Sequence, residues 1–287
     1  MNILVTGAKG FIAQHLIEIL SKNHVVYGLS RNEFFCKYNC KPVIVDLSSN
    51  TFERFLPNNI HCVIHLAQST FYRDFPHSAD DIYKLNVEIT FRLLEWSRKN
   101  KIKHFIFAST ANVYSSSSKL LNETSSTIPD SFYGATKLCA ENIVRQYQKF
   151  FSVDILRFFT VYGPNQKNML FPSIIKKIKE GEKITLAKGL GICLSPIFVK
   201  YISNIINFLI SSCSRKKLRL LNICGNEKIS LSEIVKRLEA LLKIKARIEI
   251  SKDEPRFFIG NNNKLKKIYP DNNFTNIAKG LNIVFSL

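Results

Sequence analysis

Short runs of consecutive apolar residues alternate along the chain with longer stretches in which apolar positions recur every three or four residues. The runs fall at residues 2–6, 24–29, 42–45, 62–66, 104–108 and 153–157. Runs that lack polar alternation predict strands buried on both faces. The periodic stretches at 11–21, about 80–100 and 133–150 predict the helices that connect them. Strands and helices in this order build a parallel, doubly wound α/β sheet. The rhythm breaks after Pro164, where Pro172, Gly181, Gly189, Gly191 and Pro196 divide shorter elements. The pattern therefore predicts a sheet domain from residues 1–165 with 197–225, and a smaller mixed C-terminal lobe from 166–196 with 226–287.

Composition changes this picture little. At 287 residues and 46% hydrophobic content, the chain is long enough to bury a large core. No stretch approaches the ~18 uncharged apolar residues of a membrane span. The first apolar run is too short for a signal peptide, and the expectation is a cytoplasmic protein. Seven cysteines are scattered over the chain, and only Cys36 and Cys40 are close in sequence, so no metal site is expected. The net charge of +19 raises the question of nucleic acid. The basic residues are nevertheless spread out. The densest runs, 176–179 and 215–217, have no interleaved aromatics, which indicates a solvated basic surface with neither nucleic acid nor membrane as partner.

The chemistry begins at the first strand. Ile3-Leu4-Val5 runs into Thr6-Gly7-Ala8-Lys9-Gly10-Phe11-Ile12-Ala13, a strand, a glycine turn and a helix start. Gly7 permits the tight turn and Gly10 lets backbone approach a pyrophosphate. The helix N-terminus then presents its N–H groups to the anion, and Ala13 lets helix pack on strand. A strand before the glycines and a helix after them make this a dinucleotide-binding (Rossmann) start, with Gly7, Lys9, Gly10, Phe11 and Ile12 as cofactor residues. At the end of the second strand, Leu29-Ser30-Arg31-Asn32 has no carboxylate to meet a ribose 2′-hydroxyl. Arg31, supported by Ser30, suits a 2′-phosphate, so NADP is preferred and NAD stays open.

Further along, Tyr133-Gly134-Ala135-Thr136-Lys137 places Tyr133 and Lys137 on one helical face. A lysine beside a phenol lowers its pKa, and the phenol then exchanges a proton with a sugar hydroxyl or ketone as hydride moves. Thr110, at the end of the fifth strand, points to the same crevice, where it hydrogen-bonds the reacting oxygen or satisfies turn backbone with Ser109.

With these residues the chain resembles the extended short-chain dehydrogenase/reductase family, in particular its sugar-nucleotide epimerase/dehydratase group. The likeness runs through Thr6-Gly7-x-x-Gly10-Phe11-Ile12, Val63-Ile64-His65-Leu66-Ala67, Asn86-Val87, Ser109-Thr110-x-x-Val113-Tyr114, Tyr133-Gly134-x-x-Lys137-x-x-Ala140-Glu141 and Arg157-Phe158-Phe159-x-Val161-Tyr162-Gly163-Pro164. Pro196-Ile197-Phe198-Val199, Leu221-Asn222-Ile223 and Glu254-Pro255-Arg256 look like later landmarks. The resemblance implies Thr110, Tyr133 and Lys137 as the catalytic set. It adds Asp46, Leu47, Leu66, Ala67, Gln68, Asn86, Tyr133, Lys137 and Phe159 to the cofactor residues, and assigns Ser69, Thr110, Ala111, Asn112, Tyr133 and Thr160 to the substrate. It further implies a nucleotide-sugar substrate and a homodimer through helices 80–100 and 133–150. Phe91, Phe150 and Phe151 are the residues expected to stay exposed in a monomer.

The departures bear on substrate and reaction. Thr160 stands where an Asn is usual, Lys200-Tyr201 replaces an Asp-Asp, and Leu194 lies near the place of an Arg. The related 4,6-dehydratases carry an acidic pair after the catalytic Thr. Ala111-Asn112 stands there instead, with no group to move a proton, which argues against dehydration. The reading is 4-epimerisation or 4-keto reduction of a nucleotide-activated sugar, in surface-polysaccharide or deoxysugar biosynthesis. The alternative is a degenerate family member that binds dinucleotide as sensor or scaffold.

Overall fold

A computed structural model of the chain describes every residue except 213–217, 272–273 and 286–287. Cys213 and the basic run Arg215-Lys216-Lys217 lie outside the described residues. In chain order the elements are β1 (Asn2–Thr6), α1 (Phe11–Leu20), β2 (Val25–Ser30), β3 (Cys40–Ile44), β4 (Cys62–His65), α2 (Ala79–Tyr83), α3 (Ile89–Lys99), β5 (His104–Thr110), α4 (Phe132–Gln146) and β6 (Ser152–Phe158). There follow β7 (Val161–Tyr162), α5 (Leu170–Glu180), β8 (Lys183–Ala187), β9 (Cys193–Leu194), β10 (Ile197–Phe198), α6 (Val199–Ser211), β11 (Leu218–Ile223), β12 (Ile229–Ser230), α7 (Leu231–Leu242), β13 (Arg247–Ser251), β14 (Phe257–Phe258), α8 (Asn263–Lys266) and α9 (Ile277–Phe285).

The chain forms two compact units. The first comprises residues 1–115, 126–157 and 202–221. Its centre is a seven-stranded sheet in the order β11-β6-β5-β4-β1-β2-β3, with β3 through β5 paired in parallel throughout. All six strands read from the apolar runs are present, and consecutive buried positions such as Ile3, Leu4 and Val5 serve both faces of the sheet; β3 is the exception, since at the sheet edge it is largely exposed. One core gathers Leu4, Val63, Phe105, Phe107 and Ile155 from strands with Ile89, Leu93, Ala140 and Val144 from helices. Phe91 and Phe150 are exposed as expected, but Phe151 is buried in this core, stacked on Phe105 with ring centroids 6.1 Å apart. Its place just before β6 turns it under the sheet.

The helix read over 80–100 is interrupted. Between α2 and α3 lies a π turn, Lys84–Glu88, which holds the buried Asn86 and Val87. An inserted residue of this kind widens one turn and re-aims the side chains within it.

The second unit comprises residues 116–125, 158–201 and 222–287. Its sheets are small: β10 with β7, β13 with β8, and β12-β9-β14. Three of the helices in chain order after Pro164 exceed what the turn residues suggested. Pro172 lies in the first turn of α5, where a missing N–H costs no intrahelical bond, and Gly181 closes that helix at φ +67°. α7 opens with a reciprocal cap between Ser230 and Glu233. No described helix is long and apolar enough to cross a membrane. Cys36 and Cys40 are bonded to each other, a pairing their spacing alone did not predict. No group of three His, Cys, Asp or Glu suited to a metal occurs among the described residues.

Candidate active site

Strand order reverses at β1, which lies between β2 and β4, so the carboxyl ends of β1 and β4 border the crevice where open α/β sheets take ligands. Gly7 follows β1 with φ +69°, and a Cβ there would stand 3.0 Å from the Ala67 Cα. The Gly10 N–H donates to the Gly7 carbonyl at 2.8 Å, and α1 starts from Gly10. Lys9 and Gly10 are exposed, with Phe11 and Ile12 half-buried beyond them. A backbone cradle that a side chain would fill, beside a helix start with free N–H groups, fits a dinucleotide pyrophosphate.

Past β2, the Ser30 hydroxyl accepts the Asn32 N–H at 3.3 Å, and Arg31 is exposed. Leu47 packs in the core, and Asp46 is turned outward. Burial raises the Asp46 pKa. Hydrogen bonds from the Ser48 N–H and hydroxyl, with Arg31 and Lys84 nearby, outweigh it and hold the carboxyl below its ordinary value.

At the end of β4 the buried His65 is caught between two threonines. Thr90 donates to the Asn86 carbonyl at 2.7 Å, so its oxygen receives the proton on His65 Nε2 at 3.0 Å. Nδ1 is then the acceptor for Thr6 at 2.7 Å, and Thr6 in turn accepts the Ala67 N–H at 3.1 Å. Burial, with Lys137 adding to it, takes the His65 pKa down to about 3 and keeps the ring neutral. Leu66 and Ala67 are half-buried at the crevice. The Ser69 hydroxyl is fully buried, donates to Asp81 and accepts the Phe71 N–H at 3.0 Å, so it serves its own loop.

Thr110, Tyr133 and Lys137 come together at the end of β5 and the start of α4. Ser131 caps α4 by accepting the Gly134 N–H at 3.1 Å. Gly134 brings the helix against the backbone of Asn112, whose carbonyl would lie 2.2 Å from an added Cβ. This contact seats Tyr133 next to the turn formed by Ala111 and Asn112. Thr110 accepts the Asn112 N–H at 3.2 Å, as the turn reading expected, and also reaches the Tyr133 phenol. Tyr133 and Lys137 are both buried on one face of α4. The Asn86 amide donates to Thr136 at 3.0 Å, and Thr136 donates to the Tyr133 carbonyl at 2.9 Å, which ties the π turn to this helix. The Asn86 Oδ1 is buried without a partner among the described residues.

Contrary to the lowering expected from a neighbouring lysine, burial raises the Tyr133 phenol, with Tyr72 adding to the rise and Thr110 opposing it. Burial also pulls Lys137 down to about 7, against the pull of Glu141. The Lys137 ammonium lies 4.3 Å from the centroid of the Phe107 ring. Two contacts were not legible in the sequence. Tyr133 donates to Gln68 Oε1 at 2.8 Å, and the Tyr72 ring packs 5.0 Å from that of Tyr133, with the Arg73 guanidinium 5.0 Å over Tyr72. Gln68 was expected only at the cofactor, and no motif marked Tyr72. Of the remaining residues, Phe159 and Thr160 belong to the second unit. The Phe159 N–H donates to Ile223 at 3.0 Å, and the Thr160 carbonyl accepts from Ile197 at 2.8 Å.

Residues 3–194 match the model of the NAD dependent epimerase/dehydratase family. The chain belongs to this family. An uncharacterized UDP-glucose epimerase of Bacillus subtilis is 31% identical over 284 residues, 88% of this chain and 85% of the relative. Among solved structures, MoeE5 in complex with UDP-glucuronic acid and NAD aligns with a TM-score of 0.90 at 25% identity, covering 100% of this chain and 98% of that one. The UDP-glucuronic acid 4-epimerase of Bacillus cereus, in complex with UDP-glucuronic acid and NAD, aligns at 0.89 and 26% identity with the same coverage.

Proposed function

We propose that this chain is an NAD(P)-dependent enzyme that acts on a nucleotide-activated sugar, by 4-epimerisation or 4-keto reduction, in surface-polysaccharide or deoxysugar biosynthesis. One observation carries the reading: Tyr133 and Lys137 share a buried helix face, with the Thr110 hydroxyl in reach of the phenol. The dinucleotide, held along Gly7, Gly10 and the start of α1, supplies hydride acceptance and return when bound. Tyr133 takes the proton from the sugar hydroxyl at its phenol oxygen and gives it back to the ketone. Lys137 favours the phenolate by its charge and hydrogen-bonds the cofactor ribose. Thr110 donates to the reacting sugar oxygen. Ala111 and Asn112 hold no proton-transferring group, which supports a reaction without dehydration. The UDP-sugars bound by the solved relatives make UDP-glucuronate and UDP-glucose the first substrates to try, and epimerisation the first outcome to look for.

Replacing Tyr133 by Phe removes the phenol oxygen, and with it the proton relay and the hydrogen bond to Gln68. Turnover falls by about 100-fold or more, while dinucleotide binding by fluorescence titration stays near wild type. Near-normal rates in Tyr133→Phe contradict this mechanism. Undetectable turnover in the wild type with tight dinucleotide binding marks the chain as a sensor or scaffold instead.

For the cofactor, the exposed Arg31 and the lack of a carboxylate at 29–32 support NADP, whereas the solved relatives hold NAD. The Arg31→Ala variant decides between them. It weakens NADP by about tenfold or more and leaves NAD nearly unchanged if the guanidinium meets a 2′-phosphate. Equal weakening of both makes Arg31 a loop cation.

A further inference from the structure

We infer that Glu141 is a positioning residue for the proposed proton-transfer site: paired with Arg157 in the interior, it fixes the strand end that carries Thr110 and keeps a carboxylate one helical turn from Lys137. The inference rests on the reading of Tyr133 and Lys137 given above.

Glu141 and Arg157 are among the most buried charged residues of the first unit, at 0% and 2% side-chain exposure. They meet in a two-pronged bond, Arg157 Nε to Oε1 at 2.9 Å and Nη2 to Oε2 at 2.7 Å. The Ser109 hydroxyl donates to Oε1 at 2.5 Å. The remaining arm of Arg157 donates to the Tyr114 hydroxyl at 2.7 Å. One carboxylate thus gathers α4, the end of β5, the turn after it and β6. Ser109 and Tyr114 bracket Thr110 and the Ala111–Val113 turn on both sides, so the pair sets where that hydroxyl stands against Tyr133.

A buried ion pair is a poor source of stability, since apolar residues of similar volume fill such a space as well or better. What it does supply here is a fixed charge. Lys137 interacts with Glu141 on its own helix, the neutral His65 from β4 and the Phe107 ring from β5, and Tyr133 shares its buried helix face. Arg157 from β6 is bound to Glu141, and the half-buried Arg145, one turn further along α4, stands 3.6 Å from the Glu141 Oε2. Among these Glu141 alone carries a negative charge, and it acts against the burial that draws the Lys137 pKa down to about 7.

Glu141→Gln keeps the shape and removes the charge. The protein is labelled with 13C at lysine Cε, and the Lys137 resonance is assigned by its loss in Lys137→Met. In the folded variant, Lys137 titrates about one pH unit or more below wild type. With a sugar nucleotide, kcat falls about tenfold with KM within about threefold, and the alkaline limb of the pH profile moves to lower pH. An unchanged Lys137 titration in folded Glu141→Gln overturns the inference. Where circular dichroism shows the single variant unfolded, Glu141→Gln/Arg157→Met leaves neither member of that ion pair buried alone and carries the same readout, with the same two results. Absent turnover in the wild type overturns the functional reading, while the Lys137 titration still judges Glu141.

Discussion

His65 shows how much of the site rests on single buried polar atoms. Its two nitrogens are satisfied by Thr6 and Thr90 only in the neutral Nε2-protonated form, and burial holds its pKa near 3 against an ordinary 6.5. The unfolded chain therefore binds the proton first. The stability contributed by the neutral ring is intact above pH 6.5 and is lost as pH falls from there toward 3. By pH 5 the loss amounts to about 2 kcal/mol from this residue. Urea unfolding at pH 7.0 and 5.0 checks it: His65→Gln is less stable at neutral pH but has a flatter pH dependence, and equal slopes in both proteins contradict the assignment. Residue identities such as Tyr133, Lys137, Thr110 and His65 stood out in the sequence because their spacing or their motifs did. Their partners did not. Gln68 was expected only at the cofactor, and Tyr72 and Thr90 were unmarked; their contacts with Tyr133 and His65 come from long-range packing, which leaves no trace in local pattern.

At the scale of elements, the apolar runs reported the six strands, because a strand buried on both faces, such as β1, β4 or β6, has a strong and simple signature; the edge strand β3 is largely exposed and was found by its apolar run alone. Helices were legible where a single amphipathic face persists, as in α1 and α4. The π turn between α2 and α3 was not, because one inserted residue leaves the hydrophobic period nearly intact while it moves Asn86 inward. After Pro164, turn residues such as Pro172 and Gly181 were read as dividers between short elements, yet they sit at the two ends of α5. The close approach of α4 to Asn112 gives a direct test of this scale. Gly134→Ala forces a Cβ against the Asn112 carbonyl and costs about 1–3 kcal/mol in denaturant unfolding. Because the same contact seats Tyr133, kcat falls as well. A variant with unchanged stability and rate shows that the helix start does not depend on this approach.

At the scale of the molecule, the resemblance suggested self-association through the helices now seen as α2, α3 and α4. Phe91 on α3 and Phe150 beyond α4 are 46% and 54% exposed, and Tyr83 is 53% exposed. We expect light scattering at micromolar concentration to report twice the chain mass, and Phe91→Glu to lower it. A monomer in the wild type contradicts that expectation. The central claim concerns chemistry on a nucleotide sugar, and one measurement reaches it most directly. Purified protein is incubated with NAD or NADP and a panel of UDP-, dTDP-, GDP- and CDP-sugars, UDP-glucuronate and UDP-glucose first, while nicotinamide absorbance and sugar stereochemistry by NMR are followed together. The account predicts conversion at C4 of at least one sugar: inversion without net absorbance change for an epimerase, or, for a 4-ketoreductase run in its oxidising direction, 4-keto sugar with a stoichiometric gain of reduced nicotinamide absorbance, and either one abolished in Tyr133→Phe. Tight cofactor binding with no sugar converted, or conversion undiminished in Tyr133→Phe, would contradict it.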